Sequence, residues 1–271
     1  GRRKAPPPGG VAARQGGPAR SGLSFAGQGA ETARMSETGT DWPRLHWLGE
    51  AAAIVEFAPA LTDAANRAAL AFRAALEDAA WPGVAESFVT LKSAVLRFDP
   101  DRLPHADLEA RLGALLAERD WTAAPLPPGR RLWRIPASFE GADAPQLAEV
   151  AQAAGASEAA LIEELAATRL RVLTIGFAPG QPYLGRLPER WDIPRQTELT
   201  PRVPRGAVVA AIRQIVLFTV ETQTGWRQIG RSAFAGFRPG AAEPFPLAVG
   251  DEVAFEPVPG AALARWDERA G

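Results

Sequence analysis

The chain has 271 residues, 46% hydrophobic and 23% charged, a balance that excludes a collagen-like or wholly disordered polypeptide and leaves room for two domains. Thirty basic against thirty-one acidic residues give a net charge of −1, too little for the positive field that holds a nucleic-acid backbone. The absence of cysteine removes disulfides, thiolate nucleophiles and Cys-ligated metals, and no apolar run in the C-terminal half approaches the roughly 20 residues that cross a bilayer. The expected setting is the cytoplasm, with neither nucleic acid nor membrane as a partner.

Residues 1–34 hold eight glycines, four prolines and six basic residues against the single acid Glu31, and lack both helical and strand periodicity. Residues 1–40 are therefore expected to be a disordered extension, with translation beginning at Met35. That segment carries about +5 and leaves the remainder near −6.

From Arg44 the chain becomes patterned. Ala53–Phe57 reads as a strand, and a helix runs from Thr62, an N-cap, to about Ala80, with Leu70, Phe72 and Leu76 on its buried side. Val84–Val89 and Ala94–Phe98 read as strands, and Leu108, Leu112, Leu115 and Leu116 recur at helical spacing. With Leu132–Ile135 as a closing strand, residues 41–136 have the order of a split βαβ sandwich, a small N-terminal α/β domain.

Residues 137–262 begin with two helices, Gln146–Ala154 ending at Gly155, and Glu158 to about Thr168 behind Ser157 as N-cap. The pattern then turns to short strands between Pro- and Gly-rich turns: Leu170–Phe177, Val208–Ile212, Ile215–Thr222, Trp226–Ile229 and Glu252–Phe255. That is the signature of a β-barrel or sandwich. Residues 263–271 form a tail, and the whole is α+β.

Two histidines, His46 and His105, leave little for a His-based triad or a metal centre; both read as surface or capping residues, and no metal site is expected. Lys92-Ser93 lacks the glycines of a P-loop, and the dinucleotide fingerprint is absent. What remains is a concentration of arginine, glycine and polar residues from Gly176 to Ser232. Pro179-Gly180 is a turn pair, and Tyr183, the only tyrosine, places a ring and hydroxyl just beyond it. Pro194-Arg195 and Pro201-Arg202 set planar cations beside rigid turns, a pairing suited to a carboxylate. Thr222, Gly225, Trp226 and Arg231 add a hydroxyl, an exposed backbone, an aromatic ring and a further guanidinium to an anion-accepting pocket.

The ordered motifs Gly176-Phe177-x-Pro179-Gly180-x-Pro182-Tyr183-Leu184, Pro201-Arg202-Val203-Pro204-x-Gly206, Glu221-Thr222-x-x-Gly225-Trp226, Ile229-Gly230-Arg231 and Gly250-Asp251-x-Val253-x-Phe255-x-Pro257 resemble the family of 5-oxoprolinase B subunits. That family also contains allophanate hydrolase subunit 1 and a sporulation histidine-kinase inhibitor. The resemblance spans about Arg44 to Val258 in layout, with its specific motifs in the second half. It implies an N-terminal α+β domain followed by a cyclophilin-like β-barrel and a separate partner chain of the subunit-2 or C-subunit type. It also implies an ATP-dependent opening of a lactam or amide by the hetero-oligomer, the nucleotide not being held by a P-loop of this chain. On that reading Arg202, Gln214 and Arg231 are catalytic, Pro179, Gly180, Tyr183, Thr222, Gly225 and Trp226 contact the substrate, and the chain is inactive alone.

The chain departs from the family pattern at Leu165, where relatives carry His, and at Gln181, where they carry Phe. It also reads Ile212-Arg213-Gln214-Ile215-Val216 where they carry Gly-Gly-Gln-Thr-Gly. Isoleucine and arginine in place of glycines are expected to close backbone amides to a ligand and to restrict positive-φ geometry. The alternative function is a non-enzymatic protein-interaction regulator with a degenerate pocket. A peptidyl-prolyl isomerase rests on fold analogy alone.

Overall fold

The computed structural model describes residues 42–263, together with Gly1 and Arg265. The expected extension with its start at Met35 and the tail lie outside the described residues, apart from Gly1, Leu263 and Arg265.

Strands β1 (Arg44–Trp47), β2 (Ala52–Glu56), β3 (Val84–Val89) and β4 (Ser93–Phe98) form an antiparallel sheet in the order β1-β2-β4-β3. Alternation places Ala53 and Val55 of β2, and Ala94 and Leu96 of β4, in the core. Helix α1 (Asp63–Ala79) starts as expected, with Thr62 Oγ1 accepting from the Ala65 amide at 3.0 Å, and ends where Ala80 turns left-handed. Its Phe72 is fully buried, edge-on to Phe57 and Trp121 at 5.6 and 5.0 Å; a phenyl ring so enclosed contributes about 2–3 kcal/mol. Helix α2 (His105–Ala117) buries Leu108, Leu112 and Leu115. His105 does not cap it: its ring packs against Trp47 and Phe98 at 4.8 and 5.1 Å, while His46 stands 3.3 Å from Glu56.

The closing strand of this sheet is not the expected one. Leu132–Ile135 belongs to β5 (Leu132–Ser138), which joins the barrel parallel to β13 (Glu252–Pro257), with Ile135 opposite Phe255. A division at residue 136 therefore cuts through a strand. The place at the sheet edge is taken by β1, and Ile135 and Ala137 point instead into the barrel core.

Helices α3 (Leu147–Ala153) and α4 (Glu158–Ala167) precede the remaining strands, and Ser157 Oγ accepts from the Ala160 amide at 3.2 Å. Then follow β6 (Leu170–Ile175), β7 (Pro182–Gly185), β8 (Thr200–Val203), β9 (Ala207–Ala211), β10 (Gln214–Leu217), β11 (Thr222–Thr224) and β12 (Arg227–Ser232). Among the described residues seven strands close a barrel in the order β10-β7-β6-β13-β5-β12-β9, and β8 pairs with β11 in a two-stranded sheet. The expected α+β class with a barrel holds. The expected strand Ile215–Thr222 is two strands, β10 and β11, in different sheets. Val172, Leu184, Val208, Ile215, Ile229 and Phe255 fill the interior together with Leu161 and Leu165 of α4, so Leu165 is core.

Asp251, 2% exposed, pins the barrel shut. Its carboxylate accepts from the Arg131 amide at 2.9 Å, the Arg131 guanidinium at 3.2 Å, Trp133 Nε1 at 3.0 Å and the Ala248 amide at 3.0 Å. Its carbonyl accepts from the Val172 amide at 2.8 Å. Residues 41–271 form one unit by their contacts, with separate apolar cores in its two halves. Asn66, fully buried, donates its amide to the carbonyls of Leu91 and Leu173, each at 3.0 Å, and so ties α1 and the β3–β4 turn to β6. Thr174 Oγ1 donates to the Val89 carbonyl at 2.7 Å on the same seam.

Asp251→Ala removes the acceptor shared by two backbone amides, an indole N–H and a guanidinium, and is expected to lower stability by about 3 kcal/mol. The urea midpoint measures it; a shift of less than a quarter of that size contradicts the role given to this carboxylate.

Candidate functional site

The outer face of the barrel carries its own apolar cluster. On β9 and β10 alternate residues leave the interior, so Ala207, Val209, Ala211 and Val216 gather outside with Val203, Phe218, Trp226 and Tyr183. The β8–β11 sheet lies over this face, with Thr222 opposite Val203 and Thr224 opposite Thr200. Between them is a cavity of about 360 Å³. Tyr183, Val216, Phe218 and Trp226 supply apolar lining; Gln181, Arg195, Gln196, Thr222, Gln223, Thr224 and Gly225 supply polar lining. Phe177, 74% exposed, and Leu199, 53% exposed, stand at the mouth.

Each element of this site has a local cause. Trp226 and Tyr183 meet edge to face at 6.1 Å, and the Arg195 guanidinium lies over the Trp226 ring at 5.1 Å, an arrangement worth about 0.5–2 kcal/mol. Gly225 has no room for a side chain, since a Cβ there meets the Gln196 carbonyl at 2.9 Å, and its own carbonyl accepts from the Gln196 amide at 2.7 Å. Gln196 is held in turn by Gln146 of the segment before α3, whose Nε2 donates to its Oε1 at 2.8 Å. Arg227 Nη1 donates to the Pro194 carbonyl at 2.6 Å, so the Pro194–Gln196 loop is fastened to β12.

Of the residues expected from the sequence, Tyr183, Thr222, Gly225 and Trp226 line the cavity together. Pro179 and Gly180 do not. They occupy the centre of a turn in which the Gln181 amide donates to the Ala178 carbonyl at 3.1 Å, with Gly180 at φ +69°. A Cβ at Gly180 would lie 1.9 Å from the Gly236 carbonyl oxygen, so this glycine is required by backbone approach. Arg202 is exposed on β8 and makes no hydrogen bond or ion pair with the described residues. Arg231 is exposed on β12, 3.6 Å from Asp143. Gln214 is 2% exposed at the start of β10, beside Gly185, and its Nε2 has no partner. These three side chains do not line the cavity.

The β9–β10 turn differs from expectation in one respect. Ile212 and Arg213 keep positive φ, 45° and 64°, so the geometry that glycine favours is retained without glycine. Their amides are taken: Ile212 donates to the Ile193 carbonyl at 2.8 Å and Arg213 to that of Trp191 at 3.0 Å. Sequence reading missed Gln196 and Phe218, for which no local pattern gives a signal. It named Arg195 as a cation beside a turn without placing it in the site, and it noted Gln181 only as a departure.

Among the described residues Arg195 is the one charged residue lining the cavity; no carboxylate, lysine or histidine joins it. A magnesium-bound triphosphate needs more cationic and oxygen ligands than this, so the cavity does not fit ATP. Among the described residues no three His, Asp or Glu side chains stand together to hold a metal ion, and no helix is long and apolar enough to cross a membrane.

The family described as the carboxyltransferase domain, subdomain C and D, matches residues 43–247. This chain belongs to that family. It is 33% identical over 216 residues to the B subunit of 5-oxoprolinase from Escherichia coli O157:H7, covering 79% of this chain and 95% of that protein. To the corresponding B subunit from Bacillus subtilis it is 28% identical over 226 residues, covering 78% and 91%. Among solved structures it resembles TTHA0988, with 31% identity and a TM-score of 0.65, covering 77% of this chain but only 40% of that one. The Kluyveromyces lactis urea carboxylase shares the fold at 17% identity and a TM-score of 0.64, over 82% of this chain and 22% of its own length.

A β-branched residue at positive φ costs about 1 kcal/mol or more. Ile212→Gly is therefore expected to raise the thermal midpoint, whereas Gly180→Ala, which meets backbone, is expected to lower it by several degrees. Calorimetry on both variants checks the pair, and a fall in both contradicts the reading of the β9–β10 turn.

Proposed function

We propose that this chain is one component of an ATP-dependent hydrolase of the 5-oxoprolinase type, acting on a lactam or related amide together with a separate chain of the subunit-2 or C-subunit type. The observation that carries the reading is the alignment with the 5-oxoprolinase B subunit of Escherichia coli, which takes in 95% of that protein. The cavity accords with a substrate-holding part. Its aromatic lining suits a small flat ring, the Arg195 guanidinium offers charge-assisted donors to a carboxylate, and the amides of Gln181, Gln196 and Gln223 surround them.

Opening a lactam develops negative charge on its oxygen, which preorganised donors stabilise. It also requires a water to be deprotonated and the amide nitrogen to be protonated, and among the described residues lining this cavity there is no carboxylate, lysine or histidine to serve as the base. Those groups, and the nucleotide, fall to the partner. The exposed position of Arg202 leaves its guanidinium available to such a chain, while Arg231 is paired with Asp143.

The test is to isolate the full chain with the proteins that co-purify from its native cells and to measure ADP release that depends on 5-oxoproline. Turnover by the complex and none by the chain alone is expected. Arg195→Ala in the complex is expected to raise KM at least about tenfold through loss of a charge-assisted contact. A partner that binds without any turnover overturns the reading in favour of a protein-interaction regulator.

A further inference from the structure

One glutamine that lines the cavity has an amide nitrogen that the fold does not use. Gln181 is 1% exposed. It immediately precedes β7 and alternates with Tyr183, so both face outward from the barrel while Leu184 packs inside. A buried amide is costly unless both its ends are served. Its oxygen is: Gln181 Oε1 accepts from the Thr219 amide, at 3.4 Å. That bond also settles which way the amide faces, because a backbone N–H can only donate. The other end, Nε2, has no hydrogen-bond partner among the described residues, and the side chain forms part of the cavity lining.

The second polar end of the cavity is Arg195. Tyr183 neighbours Gln181 on the strand, Trp226 lies under Arg195, and the two rings touch edge to face. Amide and guanidinium line the same cavity as this aromatic pair, and the amide nitrogen and the guanidinium both offer donors only. A ligand that satisfies them is flat enough to lie on the rings and carries acceptors at two places: an anionic one for the guanidinium and a neutral oxygen for the amide.

We infer that Gln181 is the specificity-determining residue of this cavity, its side-chain amide donating to the carbonyl oxygen of a small cyclic acid whose carboxylate lies against Arg195. The inference names the recognition chemistry of the site proposed above and rests on that reading for the choice of probes.

The test uses the full 271-residue chain without a partner and three probes: 5-oxoproline, cyclopentanecarboxylate, which lacks the ring carbonyl, and 2-pyrrolidinone, which lacks the carboxylate. Titration calorimetry is expected to show 5-oxoproline bound at least about tenfold more tightly than either analogue, the loss expected when a buried donor is left unpaired. Gln181→Leu is expected to bring 5-oxoproline down to the level of cyclopentanecarboxylate while leaving the latter within about twofold. Gln181→Met, nearest in shape, is expected to do the same, and circular dichroism shows that each variant is folded. A folded variant that keeps the preference overturns the inference, as does a wild-type chain that shows none or binds no probe. An absence of turnover in the complex with the binding preference intact strikes the proposed hydrolase and leaves Gln181 standing. Turnover with the preference unchanged by Gln181→Leu does the reverse.

Discussion

The barrel depends on one parallel pairing between strands far apart in the chain. β5 and β13 lie side by side from Leu132 with Glu252 to Ala137 with Pro257, and such a pair has no hairpin to set its register. Asp251 sets it. Its carboxylate gathers the Arg131 amide, 120 residues away in sequence, with the Trp133 indole and the Ala248 amide at the point where β13 begins. The charge is solvated by donors that approach from both sides of the seam, so its burial is compensated only when the strands are in register. Closure then leaves only short, protected edges on the remaining strands and fixes the outer face on which the cavity is built.

That outer location follows from packing. The interior is filled by side chains from every barrel strand and from α3 and α4, leaving no volume for a ligand at ordinary packing density. The chain instead makes a second apolar layer outside β9 and β10 and places the β8–β11 sheet over it. The apolar lining on the barrel side is supplied by Tyr183, Val216 and Phe218, while Arg195 precedes β8 and Thr222 lies on β11. Asn66 and Thr174 hold the first sheet against β6, next to the strand that carries Tyr183.

Much of this was legible in the sequence where one residue type has one local use. Thr62 and Ser157 announce helix starts because a hydroxyl before an amphipathic run has free amides to cap, and both do so. Leu108, Leu112 and Leu115 announce a buried face by spacing alone. Alternation, by contrast, tells which face of a strand is buried and not which sheet it joins, so β5 was expected in the first sheet. β7, β8 and β11 gave too little pattern: two have four residues including a proline, and one has three. The site was legible to the same depth. Tyr183, Thr222, Gly225 and Trp226 converge because the turns that make their motifs also make the cavity. Arg202 and Arg231 diverge because each is next to a buried residue on its strand, Val203 in one case and Gly230 in the other, and alternation then sends the guanidinium outward.

The β9–β10 turn shows how a site can be remodelled while its scaffold stays. A two-residue connection between Ala211 and Gln214 demands positive φ at both central positions, and Ile212 and Arg213 accept that strain. What sustains it is the segment from Leu187 to Ile193. The carbonyls of Trp191 and Ile193 receive both turn amides, and the Arg213 side chain returns a hydrogen bond from Nε to the Leu187 carbonyl at 2.9 Å. Both amides are thereby engaged within the chain, and the side-chain donors that line the cavity are carboxamides, hydroxyls and one guanidinium. On the proposed reading, recognition rests on side chains outside the barrel core.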